Sequence, residues 1–162
     1  MNEPIVFVVY GKQEPAGSKS SFVPTNRKTG QPFRGASGRI IVNTVDANPK
    51  AKDWKKLVAA TAMNHRPREL LDGPIKFSLC FYRTRPKGHF NSKGELNKKG
   101  RESFYPTTKP DVLKLARAVE DALTGVMWVD DAQIVREVLS KDWGERECVV
   151  IEIESMKQEL QQ

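Results

Sequence analysis

Apolar positions change their spacing several times along the chain, and each change marks an element. Ile5–Tyr10 is a run of β-branched and aromatic residues closed by Gly11, the pattern of a buried strand. Residues 11–38 carry six Gly or Pro before Gly35, with Ser and Lys among them, and read as a long loop of the kind that is usually functional or mobile. Arg39–Asn43 suggests a second short strand. Asn48 then suits a helix N-cap and Pro49 its first position. Trp54, Leu57, Val58, Thr61 and Ala62 follow at helical spacing, with Lys50, Lys52, Lys55 and Lys56 on the other faces.

From Ile75 the period becomes two: Ile75, Phe77, Leu79 and Phe81 alternate with Lys76, Ser78, Cys80 and Tyr82, a half-buried strand. Residues 84–108 form a second polar loop. Val112, Leu115, Ala116, Val119, Ala122 and Leu123 then trace one face of a helix, begun by Pro110-Asp111 and ended by Thr124-Gly125. An apolar run, Val126–Val129, stops at Asp130-Asp131. Ile134–Leu139 and Cys148–Ile153 are β-rich, and Asp142–Gly144 between them predicts a hairpin turn. The tail, Lys157–Gln162, is expected to fray. The pattern predicts one α+β domain over residues 1–156, a mixed or antiparallel sheet packed with two helices.

Composition sharpens this. The chain has 162 residues, 38% hydrophobic, with 27 Lys+Arg against 20 Asp+Glu, a net +7. Residues 76–109 hold nine basic and two acidic side chains, so that one segment accounts for the whole excess. No apolar run approaches the ~20 residues of a membrane span. The N-terminus lacks the basic start and long apolar stretch of a signal peptide. Cys80 and Cys148 make no disulfide framework or CxxC pair, and His65 and His89 stand alone. A cytoplasmic, reduced compartment is expected.

The chemistry lies between Lys109 and Gln133. Asp111 to Leu123 spans twelve helical rises, about 18 Å. Val126 to Asp131, if extended, covers about 16–17 Å. An antiparallel return would set Asp130 and Asp131 beside Asp111. Carboxylates so close repel unless a cation neutralises them, and all-oxygen ligation suits Mg²⁺, with Mn²⁺ as an alternative. Such an ion activates water and stabilises phosphoryl charge. Taken singly, Asp111 is an ordinary first-turn residue and Asp130-Asp131 an ordinary turn.

Lys109-Pro-Asp111, a helix with Asp121-Ala-Leu, a Gly turn, Trp128 and then Asp130-Asp131-Ala-Gln-Ile resemble the RusA family of Holliday-junction resolvases over about residues 107–137. The resemblance implies a homodimeric α+β fold and Mg²⁺-dependent, symmetric cleavage of branched DNA. It places Asp111 and Asp131, with Asp130 beside it, in the catalytic and metal-binding roles. The family motif Asp-x-Asp-Asn-Leu-x-x-Lys reads here Asp111-Val-Leu113-Lys114-Leu115-Ala-Arg117, so a second aspartate becomes Leu113 and a lysine becomes Arg117. Leu113 cannot ligate a metal. Glu120 lies about 10 Å along the helix from Leu113, and Asp121 about 15 Å from Asp111, so neither shares an ion with Asp111 in one chain. Asp121 is expected to pair with Lys114 or Arg117.

The residues therefore predict a metal held by Asp111, Asp130 and Asp131, with Lys109 and Arg117 stabilising phosphate charge. Arg83, Arg85, Lys87, Lys93, Lys98, Lys99, Arg101 and Lys114 are the expected DNA contacts, extended by Lys12, Lys19, Arg27 and Lys28. His89, Phe90, Phe104 and Tyr105 are candidates for stacking on unpaired bases. The leading reading is a branched-DNA endonuclease of bacterial or phage origin. The alternatives are a catalytically weak junction binder and a single-strand binding module.

Overall fold

The computed structural model describes residues 3–17, 19–46 and 48–156, and the expected frayed tail lies outside them. In chain order the elements are β1 (Ile5–Tyr10), β2 (Lys19–Phe22), β3 (Asn43–Asp46), α1 (Pro49–Met63), β4 (Ile75–Thr84), α2 (Lys98–Glu102), α3 (Val112–Leu123), β5 (Ile134–Gly144) and β6 (Cys148–Ser155). Short 3-10 turns stand at Lys87–His89 and Asp131–Gln133. The α+β expectation holds.

Four strands form the main sheet in the order β1-β6-β4-β5. β6 runs antiparallel to both β1 and β4, while β5 runs parallel to β4, which makes the sheet mixed. A parallel pair needs a crossover, and α2 with α3 supply it. The alternation read from the sequence is the burial pattern of β4: Ile75, Phe77, Leu79 and Phe81 are buried, with partly buried residues between them. Phe7, Val9, Val149, Ile151 and Ile153 complete the buried face.

Both long helices pack on that core. Asn48 caps α1, its side chain accepting from Lys50 N at 3.2 Å, and Trp54, Val58 and Ala62 are buried. α3 buries Leu115, Ala116, Val119, Ala122 and Leu123, with Ala118 added to the expected face and Val112 partly buried. Asp121 binds Lys55 of α1 at 2.6 Å, so its partner is on the neighbouring helix and not at i−4 or i−7 on its own. Among the described residues no helix is long and apolar enough to cross a membrane.

Three local expectations change. The second strand lies at Asn43–Asp46 and pairs with Lys19–Phe22 inside the first long loop, while Ile40 only bridges to Arg34. Asp142–Gly144 belongs to β5 and is not a hairpin turn, because β4 lies between β5 and β6. The second long loop contains α2, whose N-cap Asn97 accepts from Gly100 N at 2.9 Å.

Candidate nucleic-acid cleavage site

Asp111 is the N-cap residue of α3, placed there by the Lys109–Pro110 turn. Its backbone carbonyl accepts from Leu115 N at 3.2 Å, while its side chain makes no capping bond. The carboxylate is thus left to other work: it is exposed and 3.8 Å from Lys114 Nζ. Next to it stands a residue that the sequence reading missed. Lys141, on β5, donates to the carbonyls of Thr108 at 2.9 Å and Pro110 at 3.0 Å. Burial and the nearby Arg83 lower the Lys141 pKa, partly opposed by Asp111. Phe81, its register partner on β4, is buried, so the strand alternation carries a lysine onto the helix-covered face. That mismatch between residue type and period was the available signal.

A cavity of about 290 Å³ adjoins this turn, lined in part by Lys99, Lys109, Pro110, Lys141, His89 and Trp143. Its walls explain several expected DNA contacts differently. Arg85 donates to the carbonyls of Gly100 at 2.8 Å and Ser103 at 3.0 Å, and its guanidinium lies 5.0 Å from the Trp143 ring centre. Arg83 bonds Gln13 Oε1 at 3.1 Å and lies 3.5 Å from Glu147. Arg101 donates to Leu96 O at 2.6 Å, and Lys98 pairs with Glu102 at 3.9 Å. Arg85 and Arg101 thus hold the loop in shape as well as making it basic, while Arg83 ties β4 to Gln13 and Glu147. His89 is buried edge-on against Trp143 at 5.5 Å, so it is not a base-stacking platform. Phe90, Phe104 and Tyr105 are exposed.

The Asp130-Asp131 end is built by Gln133. Asp130 Oδ1 accepts from Ala132 N at 2.8 Å, and Gln133 Oε1 accepts from the backbone N–H groups of Val129 and Asp130, both at 3.0 Å. Gln133 Nε2 reaches the carbonyls of Leu71 and Gly73 at 3.0 and 3.1 Å. The reciprocal Asp130–Gln133 arrangement is a capping box. Asp-Asp-Ala-Gln therefore has a local structural reason, and Asp130 serves it.

The expected extended return beside Asp111 is not present. Residues 124–130 turn tightly, with Gly125 N bonded to Trp128 O at 2.7 Å, and the strand that runs back along α3 is β5 itself. What β5 brings to the helix start is Lys141. Asp131 instead acts on Glu120, in the last turn of α3, about 13–14 Å along the axis from Asp111. The Glu120 carboxyl is pushed up to about 7 by burial, by a hydrogen bond with Glu137 and by the charges of Glu137, Asp131 and Asp121. Glu120 also lines an open groove with Leu113, Lys114 and Arg117. Among the described residues no three acidic, histidine or cysteine side chains are arranged to hold a metal ion. One protomer thus keeps Asp111 at one end of α3 and the Asp131–Glu120–Glu137 carboxylates at the other. The three aspartates do not fit a single ion as they stand.

Comparison with known proteins bears on this arrangement. A relative from Bacillus subtilis (strain 168), "Uncharacterized protein YqaN", is 38% identical over 104 residues, which is 64% of this chain and 73% of that protein. The family described as "Endodeoxyribonuclease RusA" matches residues 24–154, spanning β3 to β6 with both ends of the candidate site. The chain belongs to the RusA endodeoxyribonuclease family.

Proposed function

We propose that this chain is a divalent-metal-dependent endonuclease that cuts branched DNA, four-way junctions above all, by paired nicks from a homodimer. The observation that carries the reading is the basic cavity lined by Lys99, Lys109 and Lys141 beside the exposed Asp111 carboxylate. Cations on one side track phosphates, and a carboxylate on the other can face the bond to be cut. Lys87 and Lys93 extend the phosphate path, and Phe104 and Tyr105 offer exposed rings to unpaired bases at a branch.

In this reading Asp111 and Asp131 are the catalytic carboxylates. Asp130 holds the Asp131 turn through its capping bond. Lys109, Lys114 and Arg117 stabilise phosphate charge, Arg117 through its planar fork. Mg²⁺, or Mn²⁺, is the ion the family implies, and one protomer does not gather the three aspartates around it. The exposed Leu113, where the family motif carries a carboxylate, favours a second reading, a junction-binding protein with weak or no cleavage.

Incubation with a synthetic four-way junction in Mg²⁺ or EDTA decides between them. The nuclease reading expects metal-dependent paired nicks that Asp131→Asn abolishes while junction binding persists. Tight binding without cleavage in Mg²⁺ or Mn²⁺ establishes the binder instead. Preference for single strands over junctions overturns both.

A further inference from the structure

Residues 21–44 form a hydrogen-bonded arm in which no residue is buried. Phe33 N donates to Pro24 O at 3.0 Å and Ile41 N donates to Phe33 O at 2.9 Å, so three short extended segments lie side by side. The turn between the first two is built in. Asn26 N donates to Gln31 O and Gly30 N to Asn26 O, both at 2.8 Å. Asn26 Oδ1 accepts from Lys28 N at 2.9 Å, and Gly30 takes φ 68°. Arg34 closes the next turn by donating to Gly38 O at 2.8 Å.

Two properties set this arm apart from a solvated loop. Phe22, Val23, Phe33, Ile40, Ile41 and Val42 are 39–57% exposed. Short strands with neither face packed on another element bury no core of their own, and clustered apolar groups left in water mark a surface that another molecule covers. The charge is one-sided as well. Residues 15–45 hold five basic side chains and no acidic one. Among the described residues, the side chains of Arg27, Lys28 and Arg39 have neither a hydrogen-bond nor an ion-pair partner. Arg85 and Arg101 in the other long loop, by contrast, spend their donors on nearby carbonyls.

We propose that this arm is a DNA-binding element separate from the cleavage site, and that it lies in the major groove of a duplex limb with Arg27 and Lys28 on the phosphates. The choice of DNA as partner rests on the branched-DNA reading; the groove follows from shape. Residues 24–26 and 31–33 make a two-stranded ribbon, closed by the 27–30 turn that carries both cations. Such a ribbon fits the ~12 Å major groove and is too wide for the ~6 Å minor groove. Cations without protein partners gain by displacing the counterions condensed on phosphate. Phe33 and its apolar neighbours gain cover against thymine methyl groups along the groove wall. A second copy of this chain could cover the apolar groups, but it would bring two arms of the same charge together.

Binding to a four-way junction and to plain duplex in EDTA tests the arm without cleavage. Arg27→Ala/Lys28→Ala changes two exposed turn residues and should leave the melting temperature unchanged. It should weaken binding to both DNAs about tenfold and lower the slope of log affinity against log salt by about two. Phe33→Ser should weaken binding without moving that slope. Amide exchange across residues 23–42 should slow when DNA is added. Methyl green, a major-groove ligand, should abolish that protection, and netropsin, a minor-groove ligand, should not. A double variant with wild-type affinity and salt slope overturns the proposal. So does protection lost to netropsin alone, or a single strand that protects the arm better than duplex. Protection that appears without DNA and rises with protein concentration overturns it in favour of a second copy. A protein that shows the expected losses yet never cuts a junction supports the arm and refutes the nuclease reading. A cleaving enzyme whose double variant binds like wild type does the reverse.

Discussion

Gln133 is the residue on which the Asp131 turn hangs. One amide accepts from two backbone N–H groups and donates to two carbonyls in the segment before β4. Gln133→Ala leaves all four to water or to nothing, and the loss is expected to be about 2 kcal/mol, read as a fall in denaturant midpoint without a change in slope. Gln133→Glu is a sharper probe, since it keeps the acceptor and removes the donor. The Asp-Asp-Ala-Gln motif was legible in the sequence as the distinctive segment. What the sequence could not convey is division of labour: Asp130 and Gln133 build the turn, and Asp131 projects from it. Likewise helical spacing alone puts Glu120 about 10 Å from Leu113 and out of reach of Asp111. Its contact is with Glu137, where α3 packs on β5, a neighbour that no local spacing reveals.

At the scale of elements, α3 and β5 run in opposite directions, and each end of the pair has its own electrostatics. At the far end, Glu120 holds a proton to about pH 7, against an ordinary value of 4.5. A folded-state pKa above the unfolded one adds stability below the unfolded value and loses it as pH rises through the folded value. Thermal stability is therefore expected to fall between about pH 4.5 and 7. Glu120→Gln should flatten that slope, measured as the melting temperature across the range. The loop bearing α2 has a different weak point. A Cβ at Gly100 would collide with the His89 backbone carbonyl. Gly100→Ala is expected to cost about 1–3 kcal/mol and to weaken junction binding without removing a charge, a result checked by melting and gel shift together. The long helices and β4 were legible because period and residue type agreed there. The 24–46 segment was not: Val42, Ile41 and Ile40 are all exposed, so apolarity there carries no burial signal and the strand falls a few residues later.

For the whole molecule, the concentration of net charge into residues 76–109 proved to be architecture as well as charge. Arg85 and Arg101 bind carbonyls that shape the loop, Arg83 binds Gln13 from the end of β4, and Lys99, Lys109 and Lys141 face the cavity. Junction affinity should fall steeply with salt, roughly in proportion to the number of phosphates neutralised. Lys99→Ala should lower the slope of log affinity against log salt by about one. Fold class was legible from the sequence because strand and helix periods are local. The parallel placement of β5 was not, since it depends on β4 inserting between β5 and β6, a non-local choice. With it went the expected convergence of the three aspartates in one chain.

The proposal that this chain cuts branched DNA with Asp111 and Asp131, which lie near opposite ends of α3, is tested most directly by mixing two inactive variants. Asp111→Asn and Asp131→Asn are prepared separately, exchanged into heterodimers and assayed on a four-way junction in Mg²⁺. If each site takes Asp111 from one copy and Asp131 from the other, the mixture regains one intact site per dimer and nicks the junction, while either variant alone remains inactive. A mixture that forms heterodimers, binds the junction and stays as inactive as its parents would contradict the account.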